Sequence, residues 1–128
     1  MSRILIAEDE ERIAAFIEKG LINNGFQVAI ADNGEAALQM LEDDAFDLLL
    51  LDMQLPIKSG WIVLEKLQAQ KKYIPIIIIS AYFDAREVIN KLPNQNIIDY
   101  VAKPFRFADL LMRIQNSLRL SNSYLAQI

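Results

Sequence analysis

The chain reads as an α/β protein, five strand–helix repeats wound on both sides of a parallel sheet. Two observations carry this reading. Five apolar runs of strand length alternate with amphipathic helical stretches along the whole sequence. The runs are almost unbroken in Val, Ile and Leu, as parallel strands buried on both faces require. With only four Gly and four Pro in 128 residues, there is also little room for a long disordered linker.

Each element follows in order. "RILIA" (3–7) is the first strand, and in "EERIAAFIEKGLINNG" (10–25) Ile13, Ile17 and Leu21 recur every four residues, one face of a helix. "FQVAIA" (26–31) is the second strand, followed by "NGEAALQMLEDD" (33–44) with Ala37, Leu38 and Leu41 on one side. "DLLLLD" (47–52) is the third, followed by a helix around 60–71 carrying Ile62, Val63 and Leu67. "IPIIIIS" (74–80) is the fourth, with a short helix near 84–92 interrupted at its end by Pro93. "DYVAK" (99–103) is the fifth, and a last helix at about 106–120 aligns Leu110, Leu111, Ile114 and Leu118. Right-handed crossovers make this a doubly wound (βα)₅ sandwich with a five-stranded parallel sheet. No composition shift or repeat divides it, so residues 1–120 are read as one domain and 121–128 as a C-terminal tail or the start of a linker.

The totals exclude several functions. Seventeen acids against thirteen bases give a formal charge of −4, without the basic stripe that direct nucleic-acid binding needs. The first residues lack the apolar core of a signal peptide, and no apolar run approaches the ~20 residues that span a bilayer. A cytoplasmic protein without membrane contact is expected. There is no cysteine for disulfide or thiolate chemistry, and no histidine for metal ligation, a Ser-His triad or a phosphohistidine on this chain.

What remains is gathered at the strand ends, where open parallel sheets bind ligands. Strand 1 ends in Glu8-Asp9-Glu10, strand 3 in Asp52, strand 4 in Ser80 and strand 5 in Lys103. With strand order 2-1-3-4-5, Asp9 and Asp52 converge while Ser80 and Lys103 arrive from the other side. Taken singly, each has an ordinary explanation: an Asp leaving a strand is usually a turn residue, and the acid triplet can cap the first helix. Taken together, clustered carboxylates call for a hard cation such as Mg²⁺. Lys103 and Ser80 suit phosphoryl oxygens, and Asp52 is placed as a nucleophile.

"ILIAEDE", "LLLLDMQLPIKSG", "IIIISA" and "DYVAKPF" closely resemble the receiver domain of two-component response regulators, in matching order and spacing from about residue 2 to 120. The resemblance implies the flavodoxin-like (CheY-like) fold. It also implies a signalling switch, not an enzyme acting on other substrates. A sensor histidine kinase or histidine phosphotransfer protein would donate a phosphoryl group from its phosphohistidine to Asp52. Mg²⁺ (or Mn²⁺) would be held by Asp9, Asp52 and the backbone carbonyl of Gln54, with Glu8 acting through water. Lys103 would pair with the phosphoryl group, and the Lys103–Pro104 bond would be cis. Ser80 and Tyr100 would be the moving switch residues, and Gln54 and Tyr82 would border the path of a hydrolytic water. The output would pass to an effector domain or separate output protein. "FRFADLLMRI" (105–114) resembles the winged-helix subfamily, whose receivers form homodimers through the helix 4–strand 5–helix 5 face at Asp99, Asp109 and Arg113. Two departures bear on that face. "NIIDY" (96–100) lacks the glycine common at its start, and the stretch from Ser80 to Lys103 is about one residue longer than is usual in the family.

Other readings are weaker. A haloacid-dehalogenase-type phosphohydrolase wants a second acid two residues after its nucleophile, where Gln54 stands. The glycines needed by a nucleotide-binding Rossmann turn or a P-loop are missing. A receiver-like interaction module that is never phosphorylated is the second reading; labelling with a small phosphodonor separates it from the first.

Overall fold

Four leucines and an aspartate, Leu48–Asp52, form the central strand β3, buried at every position. In the computed structural model, which describes residues 2–81, 87, 90–91 and 96–127 (side chains to 119), β3 is flanked by β1 (Arg3–Ala7) and β4 (Ile76–Ser80). The edges are β2 (Gln27–Ala31) and β5 (Ile97–Ala102), giving the expected parallel order β2-β1-β3-β4-β5. The helices α1 (Glu11–Asn23), α2 (Gly34–Asp43), α3 (Gly60–Ala69) and the C-terminal helix (Phe107–Gln127) cover its faces.

Alternation along the strands divides the interior into two cores. Leu5, Leu49, Leu51, Ile76 and Ile78 point to the side of α2 and α3, where they meet Ala37, Leu41, Val63, Leu64 and Leu67. Ile4, Ile6, Leu48, Leu50, Ile77 and Ile79 point the other way, toward Ile17 and Leu21 of α1 and Leu110 and Ile114 of the C-terminal helix. This two-sided burial is why the strands read as continuous apolar runs. Each fully buried Leu or Ile contributes about 1.5–3 kcal/mol, so a truncation such as Leu50→Ala should cost about 2–5 kcal/mol.

Some expectations shift. Ile62 is 37% exposed, because the inner stripe of α3 runs through Gly60, Val63, Leu64 and Leu67. The last helix continues past 120 to Gln127. The β4–β5 register slips between Ile76 and Ile77: Ile76 faces Ile97 but Ile77 faces Asp99, so one residue of β5 is bulged out. Beyond this bulge Ser80 pairs with Ala102, and the Lys103 N–H reaches Ser80 O at 3.2 Å. The bulge therefore sets Lys103 level with the end of β4. The helix expected near 84–92, with Pro93, lies mostly outside the described residues; residues 87, 90 and 91 are helical.

Candidate functional site

Because all five strands run the same way, their carboxyl ends share one rim, and each delivers its terminal residue there. Asp52, the last residue of β3, is 5% exposed. Its Oδ1 accepts the Gln54 N–H at 2.9 Å and its Oδ2 the Lys103 ammonium at 2.7 Å. Glu8 follows β1, anchored by its N–H on Ala31 O at 3.0 Å. Its Oε1 lies 2.5 Å from Lys103 Nζ, while Oε2 is buried with no hydrogen-bond partner among the described residues. Glu10 also faces the ammonium, at 3.5 Å. Occupying the N-cap position of α1, it makes no side-chain capping bond. Ser80 closes the rim on the β4 side, 1% exposed, its Oγ without a partner among the described residues. The Lys103–Pro104 peptide bond is cis.

Two glycines bring the loop after β3 into place. A Cβ on Gly60 would stand 2.6 Å from Met53 Cα and 2.9 Å from the Asp52 carbonyl oxygen, so only glycine lets α3 start this close to β3. A Cβ on Gly34 would collide with the Lys58 carbonyl. That contact seats the loop against the start of α2, whose N-cap Asn33 accepts the Ala36 N–H at 2.8 Å.

Burial and charge together set the protonation. Burial, reinforced by a hydrogen bond to Asp52 that only the protonated acid can donate, pushes Glu8 up to about 8 against the pull of Lys103. Burial would also raise Asp52, but hydrogen bonds from Glu8, Lys103 and the Gln54 amide outweigh it and hold the carboxyl below its ordinary value. Lys103 is desolvated as well, yet its bonds to Asp52 and Glu8 keep it above the usual lysine range, a firm ammonium. Near neutral pH these shifts favour a protonated Glu8 beside the Asp52 carboxylate and the Lys103 ammonium.

Ligand oxygens of Glu8, Asp9 and Asp52 all lie within 4.8 Å of one another. An all-oxygen set of this kind, including the orphaned Glu8 Oε2, fits a hard divalent cation. Asp9 and Gln54 are exposed beside it. Tyr100, opposite Ile78 in β5, packs half-buried on the core under α2 and α3. Tyr82 lies outside the described residues. Arg113 pairs with Asp99 at 2.6 Å and Asp109 at 3.5 Å within the chain. Sequence reasoning missed the approach of Glu10 to Lys103, since capping was the simpler role for an acid there. It also missed the direct Glu8–Lys103 contact, because strand ends fix which residues share a rim but not which carboxylate a long lysine reaches.

A doubly wound parallel sheet with acids and a buried lysine on its carboxyl rim defines a class of phosphate-handling α/β switch domains. The model of the response regulator receiver domain matches residues 4–115. The transcriptional regulatory protein PcoR of Escherichia coli is 31% identical over 128 residues, all of this chain and 56% of that protein. CusR of E. coli K12 is 35% identical over 117 residues, 91% of this chain and 51% of that protein. The chain therefore spans about half the length of these curated relatives. Among solved structures, the receiver domain of the Francisella response regulator 1452 superposes with a TM-score of 0.85 at 28% identity, covering 94% of this chain and 99% of that one. Thermotoga maritima TrrA, solved in complex with Mg²⁺–BeF, gives 0.77 at 31% identity over 91% of this chain and 99% of its own. The chain belongs to the response regulator receiver domain family of two-component signalling systems. No helix among the described residues is long and apolar enough to cross a membrane.

Proposed function

We propose that Asp52 accepts a phosphoryl group from a phosphohistidine carried by a sensor histidine kinase or histidine phosphotransfer protein. A carboxylate oxygen of Asp52 forms the new bond to phosphorus, the bond to the imidazole nitrogen breaks, and its electron pair stays on the imidazole. The observation that carries this reading is the placement of Asp52, buried at the end of β3 between Lys103 at 2.7 Å and the acids of β1. Mg²⁺ or Mn²⁺, when bound, neutralises charge on the carboxylates and the transferring group; Asp9, Asp52 and the Gln54 carbonyl would hold it, with Glu8 acting through water. Lys103 then turns from the acids to a phosphoryl oxygen.

Ser80 and Tyr100 carry the change of state, Ser80 by donating its free hydroxyl to the phosphoryl group and Tyr100 by moving inward. Gln54 and Tyr82 govern access of the hydrolytic water. The chain catalyses only its own phosphorylation and dephosphorylation, in the cytoplasm. Residues 1–120 form the receiver, and 121–128 lead as tail or linker toward an effector domain or output partner. Any homodimer through the β5–C-terminal helix face would trade the internal Arg113 pairs with Asp99 and Asp109 for pairs between chains.

Intact mass after incubation with acetyl phosphate and Mg²⁺ should show one added phosphoryl group, lost with Asp52→Asn and in excess chelator. Persistence of the label in Asp52→Asn would refute the assignment.

A further inference from the structure

The loop from Asp52 to α3 holds an apolar side chain where neither the backbone nor the solvent favours one. Ile57 is 71% exposed, the highest value among the exposed large hydrophobic residues described. Its φ is +66°. The Lys58 N–H donates to Pro56 O at 2.7 Å, a bond spanning only two residues that makes Ile57 the centre of a tight γ-turn. A β-branched side chain at positive φ is strained, whereas glycine or asparagine would adopt the turn readily. A polar residue would also suit the exposure. The strain is held in place from outside the turn: Pro56 O takes a second hydrogen bond from Gly34 N–H at 3.3 Å, and the Gly60 N–H closes the base of the loop on Met53 O at 3.1 Å.

We infer that Ile57 is a docking anchor for the phosphohistidine-bearing partner, filling an apolar recess on that protein and setting which donor the chain accepts. The inference rests on the function proposed above. Asp52 is buried, so any protein donor must cover the rim of strand ends. The loop bearing Ile57 starts at Asp52, and through the Gln54 N–H it grips the reacting carboxylate. A partner seated on Ile57 would therefore contact the segment that orients Asp52. Because hydrogen bonds to Pro56 O and Met53 O already hold the turn, docking would order little that was free before, which favours a small anchor.

The test compares wild type with Ile57→Asn and Ile57→Val, using acetyl phosphate and the autophosphorylated cytoplasmic portions of the source organism's histidine kinases, screened for the fastest donor to wild type. Ile57→Asn should fold with a higher Tm and label from acetyl phosphate at the wild-type rate. Its transfer from the kinase at sub-saturating concentration should slow by at least about tenfold, as on removal of an interface anchor, and Ile57→Val should restore it. Equal kinase rates for wild type and Ile57→Asn would overturn the inference, and so would a lower Tm of Ile57→Asn. Loss of a self-association by Ile57→Asn with unchanged transfer would also overturn it, assigning the residue to contact between copies instead. Failure of wild type to label from acetyl phosphate would strike the proposed function itself.

Discussion

The two sides of the rim are unequally satisfied. On the β1–β3 side, one ammonium meets three acidic side chains, with Lys103 in contact with Glu8, Asp52 and Glu10. On the β4 side, the Ser80 hydroxyl is as deeply buried and has no partner among the described residues. A buried hydroxyl left unpaired costs about 1–3 kcal/mol. The arrangement thus concentrates its electrostatics on Asp52 and leaves the Ser80 hydroxyl, proposed above to meet a phosphoryl group, on the other side. The difference separates side chains already paired at the rim from a hydroxyl that has no partner among the described residues.

Removing the cation should have the largest effect. Lys103→Met leaves Asp52 charged and buried without its partner and should lower stability by about 3 kcal/mol, near the bottom of the range for a broken buried pair, because Glu8 is protonated. Denaturant unfolding measures this, and a loss below about 1 kcal/mol would mean that the ammonium is not what holds the acids. The same variant should not label from acetyl phosphate.

Next comes pH. Between its unfolded value of 4.5 and its folded value of about 8, Glu8 binds a proton in the native state that the unfolded chain releases. Its contribution to stability is therefore full below the lower value and is lost as pH rises through the upper one. Asp52, depressed in the fold, acts oppositely and loses its contribution only as the solution becomes acid. The metal-free protein should weaken from about pH 5 to 8, by at most about 1.4 kcal/mol per unit from this group. Saturating Mg²⁺ should flatten or reverse the trend, because a bound cation favours the ionised acid. A metal-free profile that rises over this interval would exclude a protonated Glu8.

On the β4 side, Ser80→Ala should not lower the stability of the unphosphorylated protein and should raise it by up to about 1–3 kcal/mol, since it removes a buried hydroxyl that has no partner among the described residues. Labelling by acetyl phosphate should nevertheless slow, and a clear destabilisation of the resting form would show the hydroxyl to be paired after all. The smallest effect concerns Tyr82, two residues further on. If its ring shields the phosphoryl group from water, Tyr82→Ala should hasten decay of phospho-Asp52 several-fold, each tenfold being about 1.4 kcal/mol of barrier. Equal first-order decay rates would remove Tyr82 from the timing of the signal.

Strand order and the gathering of Glu8, Asp9, Asp52, Ser80 and Lys103 were legible in the sequence, because a parallel sheet forces strand carboxyl ends to one side and apolar runs mark where strands stop. The turn at Ile57 was not legible, since isoleucine is the opposite of a positive-φ signal and only contacts with α2 and α3 impose it. The bulge in β5 was not legible either, since a stretch from Ser80 to Lys103 about one residue longer than usual does not say where the extra residue sits. The partnerless Ser80 hydroxyl was hidden for a different reason: a serine at a strand end carries no mark of what it will meet.

The division of the interior into two cores also bears on how the chain comes to be folded as it leaves the ribosome. The core under α2 and α3 draws its buried residues from positions 5 to 78. The core on the other face needs Val101, Leu110 and Ile114, and the Phe107 ring must settle against Gly20, where any Cβ would collide with it. One side of the sheet can close while the other still waits for its covering helix, so a nascent chain exposes Ile4, Ile6, Leu48 and Leu50 until Leu110 and Ile114 have been made. In the interval between those two closures the uncovered face is the surface most open to aggregation.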